Sequence, residues 1–130
     1  MRRELFGDAK LGLLYAGSMS RSHDFESLLE LARASRARAG DEIAVCFACT
    51  GTNLPVLKAA VRPDDTNVRF APFADEATLE RRFAAADFHL GSLLPDFTGI
   101  VVPSRFFAAL AVARPFIFAG PLDDAIGRWI

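Results

Sequence analysis

Five short apolar runs divide this 130-residue chain, and each is followed by a stretch whose apolar residues recur at helical spacing. The runs are Leu11 to Ala16, Glu42 to Cys49, Asn67 to Ala71, Phe88 to Leu94 and Pro115 to Ala119. Short runs without polar alternation suit strands covered on both faces. Phe25, Leu28, Leu29, Leu31 and Ala32 mark a helix over Asp24 to Ala39, with an acid at its start, arginines toward its end and Gly40 as its stop. Shorter helices are predicted over Leu54 to Val61, Asp75 to Ala86, Phe106 to Val112 and from Asp123 to Ile130. Parallel neighbours need right-handed crossovers, so this alternation predicts one α/β domain. The expected form is a doubly wound, mostly parallel Rossmann-like sheet of about five strands with helices on both faces.

Composition narrows the partners. With 52% hydrophobic and 24% charged residues and a formal net charge of -1, the chain has a globular balance and no general attraction for nucleic acid or an anionic membrane. No apolar run nears the ~20 residues of a bilayer span, and MRRELFGDAK lacks the apolar core of a secretory signal, so a cytoplasmic protein is expected. Cys46 and Cys49 form a CxxC on a strand, where residues three apart point to opposite faces, so two buried free thiols are expected. His23 and His89 are too few and too scattered to suggest a metal site.

Doubly wound sheets bind ligands beyond the carboxyl ends of their strands, here the loops Gly17 to His23, Thr50 to Asn53, Pro72 to Ala74 and Leu94 to Gly99. The first offers serine hydroxyls, the forked donors of Arg21 and the imidazole of His23, a set suited to phosphate; a solvated polar loop is the plain alternative. The stretch PDFTGIVVPSRFFAALAVARPFIFAG, residues 95–120, sets a turn-rich loop ahead of a helix start. Unpaired N–H groups and the helix dipole attract phosphate at such a place, although an ordinary crossover helix has the same pattern. The G-x-G-x-x-G fingerprint and the P-loop pattern are absent, which argues against NAD or FAD. A phosphoacceptor receiver domain would need acids after the first and third strands and a lysine after the fifth, where this chain has Gly17, Pro72 and Gly120.

Three blocks carry a family resemblance: LLYAGSMSRSHDFESLLELA, NVRFAPFADEATLERRFAAADFHLGSLL and GIVVPSRFFAALAVARPFIFAGP. In this order and spacing the chain resembles the C-terminal, nucleotide-sugar-binding domain of the group 1 (family 4, GT-B) retaining glycosyltransferases. The resemblance implies a donor-binding part of an enzyme that moves a sugar from a UDP- or GDP-sugar to a lipid-linked or polysaccharide acceptor. The family's two acids, eight positions apart, match Asp96 and Ser104, so only the first is kept. Pro103-Ser104-Arg105 is similar to a Pro-Ser-basic branch acting in surface-polysaccharide assembly, which implies ribose at Ser104 and diphosphate at Arg105. The resemblance places Asp96 and Gly99 by the donor sugar and the N–H groups of Gly99 and Ile100 by the distal phosphate. Ser18 follows Gly17 where the family has an arginine, so Arg21 or His23 must stand in. Pro72 and Phe73 match the loop along the base, with Phe73 expected in core or edge packing.

Cations and oriented N–H groups suffice to neutralise a leaving diphosphate, so neither metal nor cofactor is expected. The resemblance also implies that the N-terminal acceptor domain, the final strand and the closing helices lie outside this sequence, so that the chain is a fragment inactive alone. An apolar surface near Phe116, Ile117 and Trp129 is then expected, with self-association through it or through a sheet edge. The expected partners are the nucleotide diphosphate sugar and the missing domain or a partner chain, with the inner membrane face reached only through these. A non-catalytic nucleotide-binding or interaction module that kept the fold is the alternative.

Overall fold

A computed structural model describes residues 1–100 and 105–129. The elements are α1 (Arg2–Phe6), β1 (Leu11–Ser18), α2 (Phe25–Ala39), β2 (Ile43–Thr50), α3 (Leu54–Ala60), β3 (Val68–Phe70), α4 (Glu76–Ala85), β4 (Phe88–Ser92), α5 (Arg105–Ala111), β5 (Phe116–Ala119) and α6 (Ala125–Trp129). Short 3-10 turns cover Gly40–Glu42 and Pro95–Phe97. The strands form one parallel sheet in the order β3-β2-β1-β4-β5. The chain therefore winds outward from β1 in one direction, then returns to β1 and winds the other way. The switch lies between β1 and β4, the position where such sheets hold ligands.

Strand periodicity splits the core in two. Leu13, Tyr15, Val45, Phe47 and Cys49 join Leu28, Leu29 and Leu57 on the face of α2 and α3. Leu14, Ala16, Ala44, Cys46 and Ala48 face the other way, against Leu5, Phe6 and Ala86. The two cysteines thus lie on opposite faces as free, buried thiols. Alanines line much of the second face because Leu5 and Phe6 of α1 fill the space above them. The Phe6 ring occupies the place of a side chain at Gly12, where a Cβ would come within 2.5 Å of it.

Helix α2 follows its sequence signals. Asp24 accepts a hydrogen bond from the Ser27 N–H at 3.1 Å, and Gly40 closes the helix at φ 57°. Elsewhere the boundaries shift. Gly17 and Ser18, expected to end the first strand, extend it instead, because β2 continues beside them and pairs them with Cys49 and Thr50. Gly91 lies within β4, and the Phe116 ring fills the space left by its missing side chain. Helix α1 is unanticipated, since five residues hold no helical period; Arg2 anchors it through Asp87 at 2.8 Å.

The expected apolar surface is only partly where the sequence suggested. Phe116 and Ile117 are half-buried, because Phe106 packs edge-on against Phe116 at 5.3 Å and Ile117 joins the core. Exposure falls on Trp129, Phe107, Leu110 and Leu122. Ser104 and Ile130 lie outside the described residues.

Candidate functional site

The carboxyl end of β1 is organised by a side chain from the far end of the chain. Arg105, the first residue of α5, sends its guanidinium across the sheet edge, where Nε donates to the Ala16 carbonyl and Nη2 to the Ser18 carbonyl, each at 3.0 Å. Its Cζ lies 4.2 Å from the centre of the Tyr15 ring, a cation–π contact. The Tyr15 hydroxyl donates to the same Ser18 carbonyl at 2.7 Å. Gly17, at φ 134°, leaves room for this arrangement, since a Cβ there would stand 2.8 Å from Nη2. The close approach that the glycine permits is therefore made by Arg105. Nη1 is buried and has no partner among the described residues. A guanidinium remains charged when buried, so this nitrogen keeps its donor capacity.

His23 completes the cluster as a neutral group. Burial, helped by the Arg105 charge, pushes its pKa down to about 4. Its Nδ1 accepts from the Ser20 N–H at 2.9 Å, which leaves the proton on Nε2, and its ring meets Tyr15 edge-on. The loop after β1 is also tied down on both sides. Leu94 N–H donates to the Ser22 carbonyl, Asp24 N–H to the Ser92 hydroxyl, and Asn53 Nδ2 to the Ser20 carbonyl. Arg21 is exposed and makes no side-chain hydrogen bond among the described residues.

A cavity of about 420 Å³ opens one strand away, at the carboxyl ends of β2 and β3. Phe47, Phe70, Pro72 and Phe73 wall it, and Thr50 and Lys58 supply polar groups. Phe73, expected in packing, is 49% exposed at this cavity, because β3 ends at Phe70 and the chain leaves the sheet. Cys49 connects the two features: burial pushes its thiol up to about 11, against the pull of Arg105 and Lys58. With such a pKa the thiol stays protonated near neutral pH. Gly17 and Cys49 are register partners, so the Arg105 seat and the cavity adjoin.

The loop after β4 contributes less in this form. Asp96 is exposed in the turn Pro95–Phe97, and Gly99 is exposed at φ 79°. The Ile100 N–H already donates to the Phe97 carbonyl at 3.1 Å, and its side chain is 77% exposed. The structure thus brings Gly17, Ser18, His23 and Arg105 together, with Pro72 and Phe73 on the neighbouring cavity, and leaves Arg21, Asp96, Gly99 and Ile100 on exposed loop backbone. Tyr15 was passed over in the sequence because LGLLYA reads simply as core. Among the described residues no three His, Cys, Asp or Glu side chains converge as a metal site requires, and no helix is long and apolar enough to cross a membrane.

No family model and no curated protein matches the sequence. Solved structures do match the fold. The C-terminal domain of the glycosyl transferase group 1 family protein LpcC from Francisella tularensis superposes with a TM-score of 0.68 at 18% identity, over 91% of this chain and 64% of that one. The glycosyltransferase GlyE from Streptococcus pneumoniae superposes with a TM-score of 0.52 at 18% identity, over 85% of this chain and 24% of that one. The chain thus spans less than two thirds of either. The likeness establishes a Rossmann-like α/β fold of the kind found in these transferase domains.

Proposed function

We propose that the chain is the donor-binding part of a glycosyltransferase, holding a UDP- or GDP-sugar whose sugar passes to a lipid-linked or polysaccharide acceptor on a further domain or partner chain. One observation carries the reading: a buried cation whose Nη1 has no partner among the described residues sits beside an aromatic-walled cavity at the ligand-binding edge of the sheet. Neighbouring strands lie about 4.8 Å apart, so the distance from the β1 tip to the cavity at β2 and β3 suits a nucleoside diphosphate. The base enters the cavity along Pro72 and Phe73, and the diphosphate reaches Arg105, with Ser18 and Arg21 at its edge and Ser104 toward the ribose. Asp96, Gly99 and Ile100, on the loop after β4, are assigned to the sugar. His23 serves as a neutral donor in place of a cation. The diphosphate's charge is met by guanidinium and N–H groups without a metal.

The same reading puts the protein in the cytoplasm. It also makes the exposed Trp129, Phe107 and Leu110, beside the edge strand β5, a surface for the remaining domain or for self-association, which light scattering at high concentration tests. Alone, the chain transfers no sugar; turnover of a UDP- or GDP-sugar with a lipid-linked acceptor by this chain contradicts that.

Calorimetric titration of UDP and GDP into wild type and Arg105→Ala tests the donor site. Weaker binding to the variant supports it, and identical curves remove Arg105 from it. A second reading, a non-catalytic module that kept the fold, is favoured by the internal commitments of Arg105, His23 and the Ile100 N–H. Under that reading no acceptor domain restores transfer, whereas under the first, adding one does.

A further inference from the structure

The aromatic cavity contains one charged side chain. Lys58, exposed on α3, places Nζ 5.5 Å from the centre of the Phe70 ring, and Phe70 stacks on Phe47 at 5.8 Å. Phe70 and Phe73 remain 37% and 49% exposed, so the apolar walls await a flat partner. The ammonium has three donors and no acceptor.

Bases differ most sharply in this respect at one exocyclic position. Uracil and guanine carry an oxygen there that accepts from an ammonium, whereas cytosine and adenine carry an amino group that does not. Thr50, whose hydroxyl both donates and accepts, cannot make that distinction. We infer that Lys58 is the residue that selects the base, admitting nucleotides with an exocyclic oxo group and discriminating against those with an amino group. This rests on the nucleotide reading above and adds a selection rule to it: UDP and GDP are bound, CDP and ADP are not favoured.

The test uses pairs that differ only in that group and in the protonation of the ring nitrogen beside it, UDP against CDP and inosine diphosphate against ADP, titrated calorimetrically into wild type, Lys58→Met and Lys58→Arg. Lys58 is exposed, so neither substitution disturbs the core. Wild type is expected to prefer the oxo member of each pair about tenfold, as one hydrogen bond to a charged donor allows. Lys58→Met brings the ratio to about one, and Lys58→Arg keeps it. If Lys58→Met weakens both members of a pair equally, the lysine is a general attractor of phosphate and the selection rule is overturned while the nucleotide reading stands. Equal wild-type affinities within each pair also overturn the rule alone. If no diphosphate binds wild type, the nucleotide reading falls and the rule with it.

Discussion

The guanidinium of Arg105 lies 4.2 Å above the ring of Tyr15, and both side chains donate to the carbonyl of Ser18. Burial shifts each away from its ordinary ionisation, holding Tyr15 well above the usual phenol range and lowering Arg105, with each group's charge acting on the other. The end of β1 is fixed by this pair. Tyr15→Phe keeps the ring face and removes a donor whose acceptor is still bound by Nη2, so it is expected to cost about 1 kcal/mol in urea unfolding. Tyr15→Leu removes the ring face as well and is expected to cost about 3 kcal/mol or more. Equal losses would assign the seat to the hydroxyl instead.

Gly17 tests the same seat from the backbone side. Alanine is strained at φ 134°, and its Cβ would stand 2.8 Å from Arg105 Nη2, so the guanidinium must move. Gly17→Ala is expected to lower stability by about 1–3 kcal/mol and to shift the Nε–H resonance of Arg105. An unchanged resonance would mean that the arginine does not pack where the structure places it.

These relationships mark what the sequence could express. Helix α2 was legible because Asp24, the apolar stripe and Gly40 are local signals, and the parallel sheet followed from the alternation of elements. The loops at the ligand edge were legible for the same reason. The Arg105 seat was not, because it joins residue 105 to residues 15 to 18 through packing that no local pattern encodes. His23 looked like a cation and is a buried neutral ring, a difference made by its surroundings. Lys58 carries no signal in the sequence, because its place beside Phe70 is set by the pairing of β3 with β2.

Both histidines should make stability fall in mild acid. His23 is held at about 4, and His89, whose Nε2–H donates to the Phe83 carbonyl, is also lowered by burial. Unfolding restores values of about 6.5, so the unfolded chain binds more protons below that pH. Stability from this source is complete above about pH 6.5 and is lost as pH falls toward 4. Between pH 6 and pH 5 the loss is expected to reach about 1 kcal/mol or more. His23→Asn, whose Oδ1 can accept from Ser20 N–H, is expected to reduce that slope. An unaltered slope would contradict the assignment of His23 as a buried neutral group.

Asp65 acts in a lower pH window. Arg33 grips its carboxylate through Nε at 3.0 Å and Nη2 at 2.9 Å, and the Arg62 N–H adds a third bond at 2.8 Å. Arg33's hydrogen bond is the main cause that holds the Asp65 carboxyl below its ordinary value. Its contribution is present above that ordinary value, about pH 4, and is lost as pH falls through the depressed one. Asp65→Asn is therefore expected to be about 2 kcal/mol less stable from pH 5 to pH 8, with the gap to wild type closing below about pH 4. A gap that is constant into acid would show that the charge is not what matters.

The two-dimensional ¹H–¹⁵N spectrum, recorded while UDP or GDP is added, tests the nucleotide site most directly. Saturable shifts are expected at Ser18, Thr50, Phe70 and the Arg105 side chain, with Lys10 and Glu42 at the opposite end of the sheet unmoved. No shifts at any attainable nucleotide concentration, or shifts confined to the end that carries Lys10 and Glu42, would contradict it.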